Sequence, residues 1–310
     1  MNLFGKKRRP GWLCLNLHAD RIDLSHVLVA GKPRPEILLC ESFRKQGSDV
    51  ETLKRLRREL NLDRYQCTTL LQKNEYQLLT VDTPNVPAAE AKNAVRWSIK
   101  DLVDYPIDAA TVDAVHVPGG GGAERPAQML AIAARNEAIA ATVKPFNDAD
   151  IDLEVIDVPE LAQRNVATLL EAKGRGLALL CFDDAGALLT FTGSGELYQS
   201  RRIDVSLHDF VTGPGAEEHY DRLALELQRS LDHFDRQFRS VPVARLVISQ
   251  VPGGERLAEY LGSNLTVPVT LLDLEQIMDF PGVPELRDPL RQSQCLQLIG
   301  AAMREERAAG

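Results

Sequence analysis

Two stretches of this sequence, about half its length apart, share one pattern of apolar runs and polar breaks. Residues 12–29 hold an apolar run, a break at 18–21 and a second strand-like run. Residues 176–192 hold two apolar runs around a break at 183–186. This pattern is typical of a β-hairpin. Because the same opening occurs twice, the sequence predicts a duplicated fold.

Helical periodicity follows the strands in both halves. A third strand at 35–43 precedes a helix at 49–60, and the longest predicted helix spans 217–238, with apolar residues every three or four positions. Strands and helices therefore alternate, which predicts an α/β protein. The other predicted strands are 66–71, 76–81, 111–117, 127–133, 151–156, 196–203, 245–249 and 267–271, and the other helices are 86–103, 136–148, 159–172, 254–262 and 292–304.

Composition narrows the class of protein. The 310 residues suffice for a large core, and 44% hydrophobic and 26% charged residues are usual for soluble globular proteins. A net charge of -8 argues against nucleic-acid binding, which needs a basic face. No run of about 18 apolar residues occurs, and the first ten residues lack the apolar segment of a signal peptide. We expect a cytoplasmic protein.

Residues 1–10 form a basic tail that contains Lys6, Lys7, Arg8 and Arg9. Such a cluster can touch an anionic membrane surface. Four charges make a small cluster, however, and chain ends are usually solvated. We therefore favour a solvated tail over a membrane anchor.

Patterns that indicate catalysis or metal binding are weak. The five cysteines are scattered without a Cys-x-x-Cys, so we expect buried thiols. The six histidines lack the spacing of metal ligands, and no Gly-x-Ser-x-Gly occurs. The glycine run at 119–122 is not followed by Gly-Lys-Ser/Thr, which favours a hairpin tip over a phosphate cradle.

Three motifs carry a resemblance to a known family. They are Ala-Val-Arg-Trp at 94–97 with Tyr-Pro-Ile at 105–107, Leu-Gln-Arg-Ser-Leu-Asp-His-Phe at 227–234, and Leu-Ile-Gly-Ala-Ala-Met-Arg at 298–304. With the order of elements, they resemble the PilM family of type IV pilus assembly proteins. The divergent N-terminus resembles the MshI-like branch, which serves the mannose-sensitive haemagglutinin (MSHA) pilus.

The resemblance implies an actin-like ATPase fold, built from two ribonuclease H-like β-meander domains with an inserted subdomain of the PilM and FtsA type. The implied first core subdomain comprises 11–72, 151–173 and 289–310. The insertion would span 73–150, and the second actin-like half would span 174–288.

The resemblance also implies a partner. Family members lie on the cytoplasmic side of the inner membrane and bind the cytoplasmic N-terminal peptide of a bitopic PilN-like protein, so membrane association would be indirect. The expected groove lies between the insertion and the first core subdomain. Our candidates for it are Leu70, Leu79, Val95, Trp97 and Tyr105. Core packing is the alternative for each. A homo-oligomer within the pilus assembly complex stays open.

In this fold three loops hold ATP and Mg²⁺, and glycines let backbone amides approach the phosphates. The first Asp-x-Gly falls on 16–18, which places Asn16 where the carboxylate belongs and His18 where the glycine belongs. Asp23 occupies the position of the family's lysine. The second motif falls on 181–183, and a shift of register offers Asp183 or Asp184, with Gly186 too late to serve.

The third loop, under the adenosine, falls on 250–254, where Gly253 and Gly254 are displaced from the expected positions. Departures in all three loops favour a non-catalytic adaptor that needs no cofactor. The alternative is an active ATPase that binds Mg-ATP through Asn16, Asp183 and Gly253.

Overall fold

Strands and helices alternate along the chain. The structure is a computed structural model that describes residues 8–87, 90–119, 126–183, 186–205 and 216–304. The strands are β1 (Trp12–Leu17), β2 (Arg21–Leu28), β3 (Glu36–Arg44), β4 (Gln66–Leu70), β5 (Tyr76–Asp82), β6 (Ala110–Val117), β7 (Gln128–Arg135), β8 (Leu153–Asp157), β9 (Gly176–Asp183), β10 (Gly186–Gly193), β11 (Glu196–Ile203), β12 (Val243–Ile248) and β13 (Val269–Leu271). The α-helices are α1 (Asp49–Leu60), α2 (Ala91–Ser98), α3 (Asn136–Asp148), α4 (Pro159–Ala167), α5 (Ala216–Gln237), α6 (Gly254–Asn264), α7 (Leu274–Ile277) and α8 (Pro289–Ala302).

Two five-stranded sheets have the same strand order. The first runs β3-β2-β1-β4-β8 and the second runs β11-β10-β9-β12-β13. In each, a three-stranded antiparallel meander is joined by two parallel strands beside its first strand. The predicted duplication is confirmed.

The opening strand of each sheet is apolar on both faces because each sheet is covered on both sides. On β1, Leu13 and Leu15 belong to the core beneath α1, whereas Cys14 faces the core that contains α8. A strand buried on both faces reads as a continuous apolar run rather than an alternation. This explains why both openings looked alike in the sequence.

A third sheet, with the order β5-β7-β6, lies between β4 and β8 in the chain. Helix α2 covers one face of it, where Val95 and Ile99 are fully buried. The other face carries Leu78 and Leu130, which pack against the core of the second half. The inserted sheet is therefore fixed to the second half as well as to the first.

Helix α8 holds the two halves together near their junction. It packs on α4 and on the first sheet. Ser293 Oγ donates a 3.1 Å hydrogen bond to the carbonyl of Phe182 in β9. A Cβ on Gly300 would lie 2.1 Å from the carbonyl oxygen of Ala162 in α4. Glycine at this position thus permits the close crossing of α8 and α4.

Two helices are shorter than predicted. The helix predicted for 86–103 spans only Ala91–Ser98, and the helix predicted for 159–172 ends at Ala167. After Ser98 the chain turns, so Leu102 leaves the predicted apolar stripe and is 57% exposed. Periodicity cannot detect this end, because Ile99 and Val103 stay buried in the turns that follow.

The described part of the basic tail packs on the protein rather than lying free. Arg8 forms an ion pair with Glu154 at 2.6 Å, and Arg9 donates a 2.5 Å hydrogen bond to the hydroxyl of Tyr65. Both arginines stay exposed, so these are contacts at the surface, and Lys6 and Lys7 lie outside the described residues.

The cysteines and the hydropathy of the helices were also predicted from the sequence. All five cysteines are free and buried, which confirms the expectation of buried thiols. Among the described residues, no helix is both long and apolar enough to cross a membrane. Residues 120–122 of the predicted hairpin tip lie outside the described residues.

Candidate functional site

A cleft of about 480 Å³ lies where the first sheet, α8 and the second sheet meet. The β1–β2 hairpin forms one wall and the end of β9 forms another. The lining of the cleft combines apolar and amide side chains with charged ones. The lining residues are Asn16, His18, Arg21, Asp23, Leu70, Leu71, Gln72, Lys73, Asn74, Pro159, Phe182, Asp183, Arg202, Leu290, Ser293, Gln294, Gln297 and Leu298.

The first hairpin directs its polar side chains at one another. His18 Nε2 lies 3.0 Å from Asp23 Oδ2 and 3.3 Å from Asn16 Nδ2. Gln72 donates a 3.0 Å hydrogen bond to Asn16 Oδ1. The backbone N–H of His18 closes the turn by donating to the carbonyl of Arg21 at 2.9 Å. His18 is thus a turn residue, and its ring also contacts a carboxylate.

Asp23 is the most buried charge of this hairpin, at 2% exposure. Burial alone would raise the pKa of its carboxyl. Hydrogen bonds with His18 and Ser42, together with the charges of His18 and Arg21, outweigh burial and lower the pKa of Asp23 below its ordinary value. Arg21 Nε lies 3.1 Å from the same carboxylate. Asp23 is therefore an ionised group that its own neighbours satisfy.

The second hairpin presents one described carboxylate to the cleft. Asp183 Oδ2 accepts a 2.7 Å hydrogen bond from Arg202 Nη1 and a 3.2 Å hydrogen bond from Gln297 Nε2. Asp184 lies outside the described residues. Gly186 has a φ of +117°, and a Cβ there would lie 2.9 Å from the carbonyl oxygen of Ile203. Glycine at position 186 therefore permits the close approach of β10 to β11.

The third predicted loop does not reach this cleft. Gly253 adopts a φ of +75° and precedes the first turn of α6, and neither Gly253 nor Gly254 lines the described cleft. Gln250 donates its side-chain amide to the carbonyl of Leu272 at 2.9 Å. A Cβ on Gly254 would lie 3.1 Å from Leu271. The structure therefore brings together Asn16, His18 and Asp183, but not the two glycines.

The five residues predicted for the partner groove do not lie together. Leu70 lines the central cleft. Leu79, Val95 and Tyr105 belong to the core of the inserted sheet, where Arg135 stacks over the Tyr105 ring at 4.3 Å. Trp97 is 59% exposed on α2. Leu70 is also buried, in the core that contains α8, so core packing accounts for four of the five positions, and Trp97 is available to a partner.

Sequence reasoning missed Arg202, Ser293 and Gln297 as members of the cleft. No motif marks them, because each is a single polar residue within an otherwise ordinary strand or helix. Only the fold brings α8 and β11 to the same place as the hairpins. Within the described ranges, no group of three histidine, cysteine or acidic side chains is placed to hold a metal.

No protein-family model and no curated protein sequence matches this chain. Several solved structures are similar to it. One is a structure of the PilM–PilN type IV pilus biogenesis complex, with 20% identity, a TM-score of 0.71, and coverage of 95% of this chain and 98% of that chain.

Two further structures are similar at lower identity. One is a Bacteroides thetaiotaomicron protein of actin-like ATPase fold, with 9% identity, a TM-score of 0.51, and coverage of 90% of this chain and 96% of that one. The other is the cytoplasmic domain of EpsL, an inner-membrane component of the type II secretion system of Vibrio cholerae. It has 13% identity, a TM-score of 0.51, and coverage of 95% of this chain and 96% of that one. The duplicated sheets and these similarities establish that the chain has the actin-like ATPase fold.

Proposed function

We propose that this protein is a PilM-like adaptor of type IV pilus assembly that binds the cytoplasmic N-terminal segment of a PilN-like bitopic membrane protein and does not hydrolyse ATP. The observation that carries the proposal is the similarity to a chain of the PilM–PilN complex over nearly the full length of both chains. The similarity to the cytoplasmic domain of EpsL supports an attachment of this kind to an inner-membrane assembly.

The chemistry of the cleft supports the non-catalytic part of this proposal. A Mg²⁺ site needs oxygen ligands that other groups do not occupy. Position 16 offers an amide, and the Asp183 carboxylate is held by Arg202 at 2.7 Å. His18 places a ring where the fold's glycine would let backbone amides wrap a phosphate. These residues do not fit Mg-ATP.

The proposed docking surface is on the insertion. Trp97 and Leu102 are more than half exposed, and Val86 is 37% exposed, which groups three exposed apolar side chains within one short stretch of the chain. A contiguous exposed apolar patch marks an interaction site, and we propose that these three side chains contribute to one. We place the partner peptide against this surface, with a cytoplasmic location and indirect membrane attachment for the adaptor.

The active-ATPase alternative is supported by the positions of Asn16 and Asp183, since both line the cleft. Isothermal titration calorimetry with Mg-ATP separates the two. We expect no binding heat at micromolar protein. Micromolar binding that disappears in Asp183→Ala would contradict the proposed misfit to Mg-ATP and favour the alternative.

A second experiment tests the partner. A fluorescein-labelled peptide that covers the cytoplasmic segment of the PilN-like protein is titrated with the full chain. We expect saturable binding that weakens at least tenfold in Trp97→Ala. Leu225→Ala is the matched control, because Leu225 is 51% exposed on α5, outside the insertion. Equal loss in both variants, or no binding to the unaltered chain, contradicts the proposal.

The finer assignment to the MSHA pilus, the MshI-like branch, rests on the N-terminal sequence. Deletion of the gene should abolish the MSHA pilus and leave other type IV pili of the same cell assembled. A cell that loses all of its type IV pili would place the protein in a shared machinery instead.

A further inference from the structure

Helix α4 is nine residues long, and three of its polar side chains reach three different parts of the fold. Glu160, in its first turn, accepts a 2.5 Å hydrogen bond from the hydroxyl of Tyr76, which begins β5 of the inserted sheet. Asn165 donates a 2.9 Å hydrogen bond to the carbonyl of Gly300 in α8. Gln163, which lies between them, reaches the second sheet.

The side chain of Gln163 is fully buried and spans two neighbouring strands of the second sheet. Its Nε2 donates to the carbonyl of Leu179 in β9 at 2.7 Å. It also donates to the carbonyl of Leu188 at 3.1 Å and to Oγ1 of Thr190 at 3.0 Å, both in β10. Backbone carbonyls can only accept, so the amide nitrogen is the end of the side chain that faces them. The two N–H groups of one amide are therefore shared among three acceptors.

The contacts of Glu160 and Gln163 depend on the position of one short helix. The two residues are three positions apart, so their side chains leave the same side of α4. Both are buried, with 4% and 0% exposure. The close crossing at Gly300, where a Cβ would lie 2.1 Å from the carbonyl oxygen of Ala162, leaves α4 little room beside α8. A displacement of the first turn of α4 therefore displaces Gln163 as well.

We propose that α4 couples the inserted sheet to the second sheet, so that a change at the contact of Tyr76 with Glu160 alters the contacts of Gln163. This coupling is independent of the adaptor function proposed above and adds a consequence to it. The partner peptide would dock on α2, which covers the inserted sheet. Because coupling between two sites is reciprocal, the state of β9 and β10 would in turn affect docking on that sheet.

Hydrogen–deuterium exchange of the full chain tests the coupling. Tyr76→Phe removes only a hydroxyl, and leaves the buried carboxylate of α4 without that donor. We expect amide exchange at Leu179 and Leu188, in the second sheet, to become at least fivefold faster. Thr168→Ala is the matched control, because Thr168 follows α4 directly and its hydroxyl donates only a local 2.7 Å hydrogen bond to the carbonyl of Asn165. We expect this control to exchange like the unaltered chain at both leucines.

Gln163→Leu tests the coupling in the opposite direction, because it removes the amide and keeps a side chain of similar size. We expect amide exchange around Tyr76 in the inserted sheet to become at least fivefold faster. Unchanged exchange at the distant sheet in either variant overturns the coupling. An equal rise at β3, on the far edge of the first sheet, in Tyr76→Phe also contradicts it, because general loosening would then explain the effect. Failure of the unaltered chain to bind the partner peptide removes the adaptor and leaves the coupling, which the exchange rates measure without the peptide.

Discussion

His18 Nε2 lies 3.0 Å from Oδ2 of Asp23, so the ring at the turn of the first hairpin contacts a carboxylate of its own hairpin. The hairpin keeps the backbone course of β1 and β2, with the register Asn16 opposite Asp23. Its polar side chains satisfy one another across the strands. The charge of Asp23 is therefore part of the stability of the fold.

We expect Asp23→Asn to lower the free energy of unfolding by about 2 kcal/mol at pH 7, because it removes charge-assisted hydrogen bonds from a buried position. The folded-state pKa of Asp23 lies below the ordinary value of 3.8. Its contribution is therefore present above the unfolded-state pKa and is lost as pH falls through the folded-state pKa. The difference between the two proteins should shrink as pH falls below 3.8 and through the lowered folded-state pKa of Asp23.

Urea unfolding at several pH values measures this difference. Asp20→Asn is the control, since Asp20 is 71% exposed and approaches Arg21 only at 3.5 Å. We expect it to change stability by less than about 0.5 kcal/mol. A gap between Asp23→Asn and the unaltered chain that stays constant with pH would show that the Asp23 charge is unimportant.

We expect Gly300→Ala to destabilise the protein by about 3 kcal/mol, because the added methyl overlaps the Ala162 carbonyl and forces α8 away from α4. Gly282→Ala is the control, as a Cβ there meets nothing within 4 Å. Thermal and urea unfolding measure both variants. Equal, small effects would mean that α8 is free to shift, and would contradict the tight crossing.

The duplication could be predicted because buried strands leave continuous apolar runs, as in β1 and β9. The neighbouring positions of Asn16 and His18 could also be predicted, since both residues are local to one turn, and the loss of nucleotide-loop residues there stays a prediction. The hydrogen bonds of Arg202 with Asp183 and of Tyr76 with Glu160 could not be predicted. Tyr76 and Glu160 are 84 positions apart, and no local pattern reports which polar residues a fold brings together. The end of α2 was missed because turns after Ser98 bury Ile99 much as a helix would.

We expect Cys40 to be the first cysteine alkylated in the native protein. A hydrogen bond with Cys295 lowers the pKa of the Cys40 thiol; burial opposes this, and the Arg291 guanidinium, 3.9 Å from its sulfur, supports it. Burial raises the pKa of Cys14 and raises that of Cys67 to about 12. Thiolate, not thiol, is the reactive form.

Iodoacetamide labelling at neutral pH, read by mass spectrometry of the peptides, ranks the five thiols. Cys40 should react about tenfold faster than Cys14 or Cys67. Arg291→Gln should slow Cys40 and leave the others unchanged. Labelling of Cys67 before Cys40 would contradict the assignment.

Val95 and Trp97 are two positions apart on α2 and have opposite surroundings, since Val95 is fully buried in the inserted sheet and Trp97 is 59% exposed. We expect Val95→Ala to lower the free energy of unfolding by about 2 kcal/mol through lost packing. Trp97→Ala, although it removes the larger side chain, should change it by less than about 0.5 kcal/mol. Urea unfolding of both variants measures this contrast. A cost for Trp97→Ala that equals the cost for Val95→Ala would show that Trp97 packs into the fold, and the surface proposed for the partner peptide would lose its central residue.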